Sequence, residues 1–353
     1  MAQLFSPLTL RSLTARNRIF VAPMCTYTAT DGHVNDWHLV HYGALATGGA
    51  GLIVAEATAV VPEGRISPHD AGLWSDAHVA EWQRVTRFVA AEGAIPAIQL
   101  AHAGRKASTA PAWQGGKPLT PDDGGWQTLG PSPLPFGAYP TPREMTLGEI
   151  DAVVDAFAAA THRARAAGFQ CVEVHAAHGY LLHQFLSPLS NQRTDAYGGS
   201  QENRFRLPLR VAQAVRAAFP QELPVFVRIS ATDWKDGGWD LQGSIALCRE
   251  LKALGIDLID VSSGALVHDA KIPAGPGFQV PFAAAIRAEA EIPTGAVGFI
   301  TAPAQAEQIL VTGQADVVFL ARELLRDPRW PLRAARVLGH EWAWPRQYVR
   351  GKL

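Results

Sequence analysis

The sequence predicts an α/β fold: a single (β/α)8 TIM barrel with an extended loop or lid after the third strand. Eight short runs rich in β-branched residues recur along the chain, and amphipathic helical stretches separate them. The predicted strands are residues 19–23, 51–58, 95–100, 171–176, 225–230, 258–263, 294–299 and 317–322. A doubly wound sheet is the alternative, but no G-x-G-x-x-G motif follows the first strand, where a dinucleotide-binding fold needs it.

Two of the intervening segments carry residues typical of helix ends. Thr146 and Glu149 form a capping-box pattern before an amphipathic stretch, and Gly168 stands where that helix should end. A later helix is expected to have Thr301 as its N-cap and Gly313 as its terminator. These signals support helices between the predicted strands.

The segment 104–145 interrupts this alternation. It is rich in Pro, Gly and Trp and is too long for a simple connection, so it is interpreted as a functional loop or lid. No linker, charge block or low-complexity tract marks a second domain. We therefore expect residues 1–353 to form one barrel domain that ends in a tail from about residue 340.

The composition excludes several classes of protein. A net charge of −1 gives no electrostatic footprint for nucleic acid or an anionic membrane surface. The N-terminus, MAQLFSPLTLRSL, lacks the pattern of a signal peptide, and no apolar run reaches the length of a membrane span. Three cysteines imply no disulfide framework and are one too few for a four-cysteine iron–sulfur cluster. We expect a cytoplasmic protein without nucleic-acid or membrane partners.

Polar residues occupy the ends of several predicted strands. Alternate strand residues face the inside of a barrel, and active sites form at the carboxyl ends of its strands. By this alternation Gln99 and Arg228 point inward, as do Glu173 and His175 on the fourth strand. A buried charge must be paired or must bind a charged ligand. Arg228 therefore needs an anion, which is either Glu173 in a structural pair or an anionic cofactor.

The stretch CVEVHAAHGYLLHQFLSP carries His175, His178, Tyr180 and His183. The first two imidazoles could converge as N–H donors on a carbonyl oxygen, form half of a zinc site, or pack as core or capping residues. The donor clamp is favoured, because no further ligand pattern accompanies the pair and no metal is expected. Tyr180 has a phenol suited to donating a proton, with a structural role as the alternative. His183 is expected to be structural.

The first and last strands end in further candidate residues. Cys25 could be a nucleophile, a redox tuner or a small buried residue, and Tyr27 follows it. A metal- or cysteine-dependent barrel hydrolase, with His175 as a base for the thiol, therefore stays open as an alternative function. Gly298 and Arg322 follow strands seven and eight, where barrels commonly hold a phosphate.

Several segments taken together resemble the Old Yellow Enzyme family of flavin-dependent ene-reductases. They are APMCTYTA, HYGALATGGAGLIVAEATAV, QLAHAGRKA, VEVHAAHGYLLHQFLSPLSNQRTDAYGGSQENRFRLPLR, VRIS and ARELLR. The resemblance runs from Phe5 to Gly351 and is most specific in the fourth of these segments. The arrangement of Cys25 and Tyr27 is similar to the thermophilic-like branch, which includes the YqjM-type enzymes and xenobiotic reductase A.

This resemblance implies bound FMN across the barrel mouth, with NADPH or NADH as reductant. The implied cofactor contacts are Ala22, Pro23, Met24, Cys25, Ala57, Gln99, Arg228, Gly298, Ala321 and Arg322. Tyr180 would donate the proton, His175 and His178 would bind the substrate's carbonyl oxygen, Tyr27 would assist, and Cys25 would tune the flavin. Arg105 and Lys106 match a family segment near the flavin or the mouth of the site, whereas many relatives have Gly at the position of Ala321.

The implied activity is NAD(P)H-driven reduction of the activated C=C bond of α,β-unsaturated carbonyl compounds, with nitro compounds and quinones as further acceptors. Hydride would pass through flavin N5 in two half-reactions, and Tyr180 would protonate the α-carbon. The C-terminal QYVRGKL resembles a tail that places an arginine in a neighbouring subunit's site, which implies a homodimer or homotetramer with Arg350 acting in trans. The alternatives are an iron–sulfur relative with a second domain and a non-catalytic flavoprotein.

Overall fold

A computed structural model describes residues 2–352 and contains a closed barrel of eight parallel strands in chain order. The strands are β1 (Ile19–Val21), β2 (Leu52–Ala59), β3 (Ile95–Ala101), β4 (Cys171–Ala176), β5 (Val225–Ser230), β6 (Leu258–Ser262), β7 (Thr294–Ala296) and β8 (Val317–Leu320). Strand β8 pairs with β1 and closes the barrel. The predicted TIM barrel is confirmed, and the largest difference in a strand boundary is at β7, which is three residues shorter than expected.

The helices lie between the strands and after the last strand. They are α1 (Asp36–Thr47), α2 (Val79–Ala91), α3 (Leu147–Ala166), α4 (Leu181–Leu186), α5 (Gln201–Ala218), α6 (Leu241–Ala253), α7 (Val280–Glu289), α8 (Pro303–Val311), α9 (Arg322–Arg326) and α10 (Trp330–Val337). No helix between residues 2 and 352 combines the length and apolar character needed to cross a bilayer.

One predicted helix boundary is confirmed and one is wrong. The capping box of α3 is present, because Thr146 Oγ1 accepts from Glu149 N at 3.2 Å and Glu149 Oε2 accepts from Thr146 N at 2.8 Å. Thr301 is not the N-cap of α8; that position is Ala302, which makes no side-chain capping bond. Proline at the first helical position fixes the start of α8 one residue later than predicted.

The barrel interior is apolar at its amino end and polar at its carboxyl end. Phe20, Phe226 and Phe319 are buried at the amino end, and the ring of Phe20 meets that of Phe319 edge to face at 5.5 Å. An antiparallel hairpin of Leu8–Leu10 and Leu13–Ala15 packs against this apolar cluster. A closed apolar floor leaves the carboxyl end as the open side, where polar side chains can meet a ligand.

The segment 104–145 is irregular, as predicted for a lid. It contains three short 3-10 turns and a two-residue parallel pairing of Leu129–Gly130 with Arg143–Glu144. Its conformation is held by side chains that bond to the backbone: Arg105 Nη1 donates to Leu134 O at 3.0 Å, and Tyr139 Oη donates to Gly116 O at 2.9 Å.

Candidate active site

A layer of four buried polar side chains lies above the apolar floor of the barrel. Gln99 Nε2 donates to Glu173 Oε1 at 2.8 Å between β3 and β4. Arg228 Nε lies 3.0 Å from Asp260 Oδ2 between β5 and β6, but this ion pair lacks the alignment of a hydrogen bond. Of the two alternatives that the sequence left open for Arg228, the structural pair with Glu173 is therefore not the one formed, since the neighbouring strand supplies a closer carboxylate, that of Asp260.

This layer contains two carboxyl groups and one cation. Burial, and then the charge of Asp260, raise the pKa of Glu173 well above its usual value. Burial also raises the pKa of Asp260, which Arg228 opposes. A closed apolar interior cannot hold two carboxylates against one guanidinium, so we assign the negative charge to Asp260 and the proton to Glu173 at neutral pH.

Replacing Glu173 with glutamine is expected to remove a pH-dependent loss of stability. Above pH 4.5, the ordinary value for Glu, the unfolded chain releases the proton that the folded chain keeps, so rising pH favours unfolding until the raised pKa is reached. The stability of the native protein relative to E173Q should fall with pH across this window, by at most about 1.4 kcal/mol per pH unit. Urea unfolding of both proteins at several pH values measures the difference.

A matched control for this measurement is Glu250→Gln, which changes an exposed glutamate on α6. That substitution should not alter the pH dependence. A stability difference between native protein and E173Q that stays constant with pH would contradict the assignment of the proton to Glu173.

His175 and His178 lie together at the carboxyl end of β4. Their rings are 5.2 Å apart and nearly perpendicular, with an interplanar angle of 85°. His175 Nδ1 accepts from Ala177 N at 3.3 Å, so its Nε2 carries the hydrogen. His178 Nε2 lies 2.7 Å from Ser262 Oγ. Gln279 Oε1 already accepts from Ser263 Oγ at 2.6 Å, whereas it lies 3.3 Å from Ser262 Oγ, so we assign the Ser262 hydroxyl hydrogen to His178 Nε2. The Nδ1 of His178 then carries the hydrogen, and the pair presents two N–H groups.

Both imidazoles are neutral at pH 7. Burial, followed by the charge of Arg228, lowers the pKa of each ring well below its usual value. A neutral imidazole donates one hydrogen bond without carrying a charge that would need a counter-ion. The pair can therefore stabilise negative charge that develops on an oxygen placed between the two rings.

Tyr180 follows the turn that carries these histidines. Its ring lies 5.0 Å from that of His175, and burial raises the pKa of its phenol, which stays protonated. Lys106 Nζ lies 5.2 Å from the Tyr180 ring and donates to His178 O at 2.9 Å and to Ala265 O at 3.0 Å. Lys106, which matches a family segment near the site, thus places a cation beside the Tyr180 phenol and against the backbone of the histidine turn.

Cys25 and Tyr27 lie in an irregular segment after β1. Burial, then the charges of Asp70 and Glu56, raise the pKa of the Cys25 thiol well above its usual value. A thiol held in its neutral form is a poor nucleophile, which argues against a cysteine hydrolase. The ring of Tyr27 meets that of Trp113, an exposed residue of the 104–145 segment, edge to face at 5.7 Å. The lid therefore reaches the side of the site on which Tyr27 stands.

A cavity of about 280 Å³ extends from Arg228 to the ends of β7 and β8. The three residues that the resemblance assigns to a phosphate, Gly298, Ala321 and Arg322, line it together with Ser262, Phe278, Gln279 and Arg326. Ala22, Pro23 and Met24 follow β1 at the same end of the barrel. Ala57 and Tyr180 line a second, narrow cavity with Asp70.

Two predicted residues lie outside this arrangement. Arg350 is exposed in the Arg346–Gly351 turn, and no residue of that turn lines the 280 Å³ cavity. His183 is fully buried; its Nδ1 accepts from Gly179 N at 2.9 Å and its Nε2 lies 3.0 Å from Asp233 Oδ1. His183 thus supports the histidine turn, in keeping with the structural role expected for it.

Three site residues were missed in the sequence. Asp260 faces the barrel interior between Ile259 and Val261, so the alternation that identified Arg228 would have found it. Ser262 and Gln279 join the site through hydrogen bonds, and Gln279 Nε2 donates to Val297 O at 3.1 Å. The same alternation points Ser262 inward, two residues after Asp260, whereas nothing in the local sequence signals the contacts of Gln279. Within residues 2–352, no group of three or more His, Cys, Asp or Glu side chains is arranged to hold a metal ion.

Comparison with known proteins identifies the family. Residues 3–341 match the model of the NADH:flavin oxidoreductase / NADH oxidase family. The chain belongs to this family. As the resemblance indicated, it is an oxidoreductase of the Old Yellow Enzyme type. The NADPH dehydrogenase of Geobacillus thermodenitrificans (strain NG80-2) is 49% identical over 351 residues, which span 99% of this chain and 98% of that protein.

Solved structures of Old Yellow Enzyme relatives share the barrel. Morphinone reductase is 30% identical, with a TM-score of 0.80 over 97% of this chain and 91% of that chain. A 2-naphthoyl-CoA reductase complex gives a TM-score of 0.85 at 27% identity over 96% of this chain. The present chain spans about half of that reductase, with 52% of it covered.

Proposed function

We propose that this chain is an FMN-dependent ene-reductase that uses NADPH or NADH to reduce the activated C=C bond of α,β-unsaturated carbonyl compounds. One observation carries the proposal: the perpendicular rings of His175 and His178 lie 5.2 Å apart, beside the protonated phenol of Tyr180. Two neutral donors suit an oxygen that becomes negative, and a neighbouring phenol suits a carbon that must gain a proton.

The residues present fit FMN. Gly298 has φ +118°, and a Cβ there would come within 2.9 Å of Gln279 Nε2 and 3.0 Å of the Phe278 ring, so the backbone leaves space in the cavity that only glycine allows. Arg322 and Arg326 line the cavity near this glycine and would hold a phosphate. Arg228, whose Nε lacks a well-aligned hydrogen bond, would face the electron-rich edge of the flavin ring.

Replacing Gly298 with alanine is expected to weaken FMN binding by about tenfold or more. The strain of a side chain at positive φ lowers the stability of the protein with or without FMN, so the loss of affinity is expected from the added methyl group, which would narrow the cavity next to Gln279. Each 1.4 kcal/mol of lost binding free energy is a tenfold change in affinity. Fluorescence titration of the apoprotein with FMN measures the dissociation constant.

Gly313→Ala is the matched control, because Gly313 also has a positive φ of +71° but lies at the end of α8, outside the cavity. It should lower stability and leave FMN affinity unchanged. Equal FMN affinity in G298A and the native protein would remove Gly298 from the proposed phosphate site.

Bound FMN would supply hydride acceptance from a nicotinamide and hydride donation to the β-carbon of an unsaturated carbonyl compound. In this proposal the protein's groups bind and polarise the substrate. His175 and His178 hold its carbonyl oxygen and stabilise the charge that develops there as the β-carbon is reduced. Tyr27 contacts the substrate from the lid side, where its ring meets Trp113.

Tyr180 is the proposed proton donor to the α-carbon. Its pKa is raised by burial, so the proton is present at neutral pH, and the ammonium of Lys106 at 5.2 Å from the ring offsets the charge left after transfer. Cys25 is proposed to tune the cofactor as a neutral thiol. Ala22, Pro23, Met24, Ala57, Gln99 and Ala321 are proposed as further cofactor contacts.

The substrate range and the assembly are also proposals. The likeness to a protein named NADPH dehydrogenase supports NADPH as one reductant. Nitro compounds and quinones are proposed as further acceptors, because their oxygens also become negative on reduction. We propose a homodimer or homotetramer in which Arg350, exposed near the C-terminus, contacts the substrate of a neighbouring subunit.

The visible absorption spectrum of the purified protein tests the cofactor, and anaerobic bleaching with NADPH or NADH tests the reductant. Return of the oxidised spectrum on adding cyclohexenone, with formation of cyclohexanone, is the expected result. Flavin that bleaches and then stays reduced in the presence of enones, nitro compounds and quinones would contradict the ene-reductase proposal. A purified protein that shows no flavin bands and fails to bind added FMN would already contradict the proposal at the cofactor test.

A further inference from the structure

Strand β2 contains a bulge at Glu56. Ala55 is paired with Ile98 on β3 and Ala57 with Gln99, so Glu56 has no partner across the strand pair. An extra residue of this kind turns its own side chain away from the regular alternation and bends the strand. The bulge thus keeps Ala57 paired with Gln99 and turns the Glu56 side chain out of the regular alternation.

The Glu56 side chain is fully buried and accepts three hydrogen bonds. Its carboxylate accepts from Thr26 N at 2.9 Å, from Thr26 Oγ1 at 2.8 Å and from Tyr42 Oη at 3.2 Å. The unpaired N–H of Glu56 donates to the same tyrosine oxygen at 2.9 Å. Tyr42 on α1 therefore closes the bulge, and Glu56 connects it to the segment after β1.

That segment is held by few hydrogen bonds, among them one from Asn35 Nδ2 to Thr28 O at 2.7 Å. Residues 22–29 form neither helix nor strand, and Tyr27 has a positive φ of +49°. The backbone bond of Ala22 N to Leu320 O holds one end, and that of Ala29 N to His69 O holds the other. Between these ends, the amide and hydroxyl of Thr26 are both bonded to Glu56. Thr26 lies between Cys25 and Tyr27, so fixing the backbone of Thr26 also fixes the positions of those two side chains.

Among residues 2–352, no arginine or lysine forms an ion pair with the Glu56 carboxylate. The nearest basic side chain is His38, whose Nε2 is 3.5 Å away, and burial lowers the pKa of that imidazole to about 4. Burial in turn raises the pKa of Glu56 to about 7. A buried carboxylate held only by neutral donors is costly compared with an apolar side chain of similar size. The hydrogen bonds to Thr26 indicate the role of this costly carboxylate, which is to hold the segment after β1.

We propose that Glu56 is a positioning residue, which holds Cys25 and Tyr27 in place at the cofactor and substrate site through its two hydrogen bonds to Thr26. The placement of the segment follows from the contacts alone, whereas its relevance to catalysis rests on the proposed function. Glu56 itself touches neither reacting group.

The Cys25 thiol gives a direct readout of this placement. Cys171 and Cys248 are fully buried, whereas Cys25 is half-buried, so alkylation of the native protein by iodoacetamide reports on Cys25. Thr26→Val keeps the carboxylate and the backbone N–H bond but removes the hydroxyl donor. Glu56→Gln keeps the shape, replaces one acceptor oxygen with an amide group, and removes the charge.

In holoenzyme saturated with FMN, we expect alkylation of Cys25 to be about tenfold faster in E56Q and to be clearly faster in T26V. The alkylation rate is proportional to the fraction of molecules in which the Cys25 thiolate is accessible, so a tenfold faster rate corresponds to about a tenfold increase in that fraction. Both variants should also bind p-hydroxybenzaldehyde, a phenol-type ligand, more weakly. For alkylation, Asp233→Asn is the matched control, because Asp233 is equally buried but contacts Ser187, Trp239 and His183.

The comparison of variants decides the proposal. Faster alkylation in E56Q with native rates in T26V would mean that Glu56 acts through its charge alone, and this result would overturn the positioning role. Unchanged alkylation and ligand binding in both variants, or equal acceleration in D233N, would also overturn it. If E56Q does not fold, T26V, which removes one bond of the same network, and Tyr42→Phe, which removes two, are compared with D233N.

The outcome is separable from that of the proposed function. The rate of Cys25 alkylation and its dependence on Glu56 are measured without turnover, and both measurements can be repeated on the apoprotein. Loss of the Glu56 effect with intact enone reduction would reject only the positioning role. Retention of that effect in a protein that reduces no enone would reject only the proposed function.

Discussion

Tyr180→Phe is expected to slow the oxidative half-reaction with cyclohexenone by about 10²- to 10⁴-fold, the usual contribution of a positioned general acid. The phenol is the proposed donor and lies beside the histidine pair, and its raised pKa keeps it protonated. The rate of reduction by NADPH should stay unchanged, because that step needs no proton from Tyr180. Anaerobic stopped-flow absorbance measures the two half-reactions separately.

Tyr197→Phe serves as the control, since Tyr197 is a buried tyrosine whose hydroxyl contacts Arg210, outside the residues of the site. Both half-reactions should keep their rates in that variant. Equal slowing of the two half-reactions in Y180F would remove the proton-donor role and would point to a disturbed site.

His175→Ala is expected to lower the rate of enone reduction by about 10²- to 10³-fold, the cost of removing one donor to a developing oxyanion. The same variant should bind p-hydroxybenzaldehyde more weakly, because the phenolate oxygen would lose one of its two N–H donors. Spectroscopic titration of the holoenzyme measures the ligand affinity, and single-turnover kinetics measures the rate.

His41→Ala is a suitable comparison, because His41 is a half-buried histidine on α1 whose pKa is also lowered by burial. Native ligand affinity is expected there. An unchanged affinity for the phenol in H175A would show that the clamp is elsewhere.

Strand alternation made much of the site predictable. The inward direction of Gln99, Glu173 and Arg228 follows from a period of two, and the structure places all three in one polar layer. The same rule applied to LIDVSS would have indicated Asp260. The sequence left Glu173 and an anionic cofactor as alternative partners of Arg228, and it did not specify which of two inward carboxylates is nearer; the structure pairs Arg228 with Asp260.

Other features depend on tertiary structure. Glu56 lies in a bulge, which breaks the alternation on which the prediction relied, and nothing in LIVAEATA marks where the extra residue falls. Lys106 lies beside Tyr180 because the backbone oxygens of His178 and Ala265 draw its ammonium there. Thr301 illustrates the opposite case, since a preferred capping residue was displaced by the geometry of the proline that follows.

The turn after β4 has a consequence for directed evolution. His178 occupies left-handed backbone with φ +57°, and Gly179 follows with φ +71°. A side chain in that region costs on the order of 1–3 kcal/mol, so the free energy of unfolding would be larger with glycine or asparagine at position 178. Selection for heat resistance alone would therefore favour loss of an imidazole that we propose to bind the substrate. Libraries screened for thermal tolerance should keep this codon fixed or score turnover at every round.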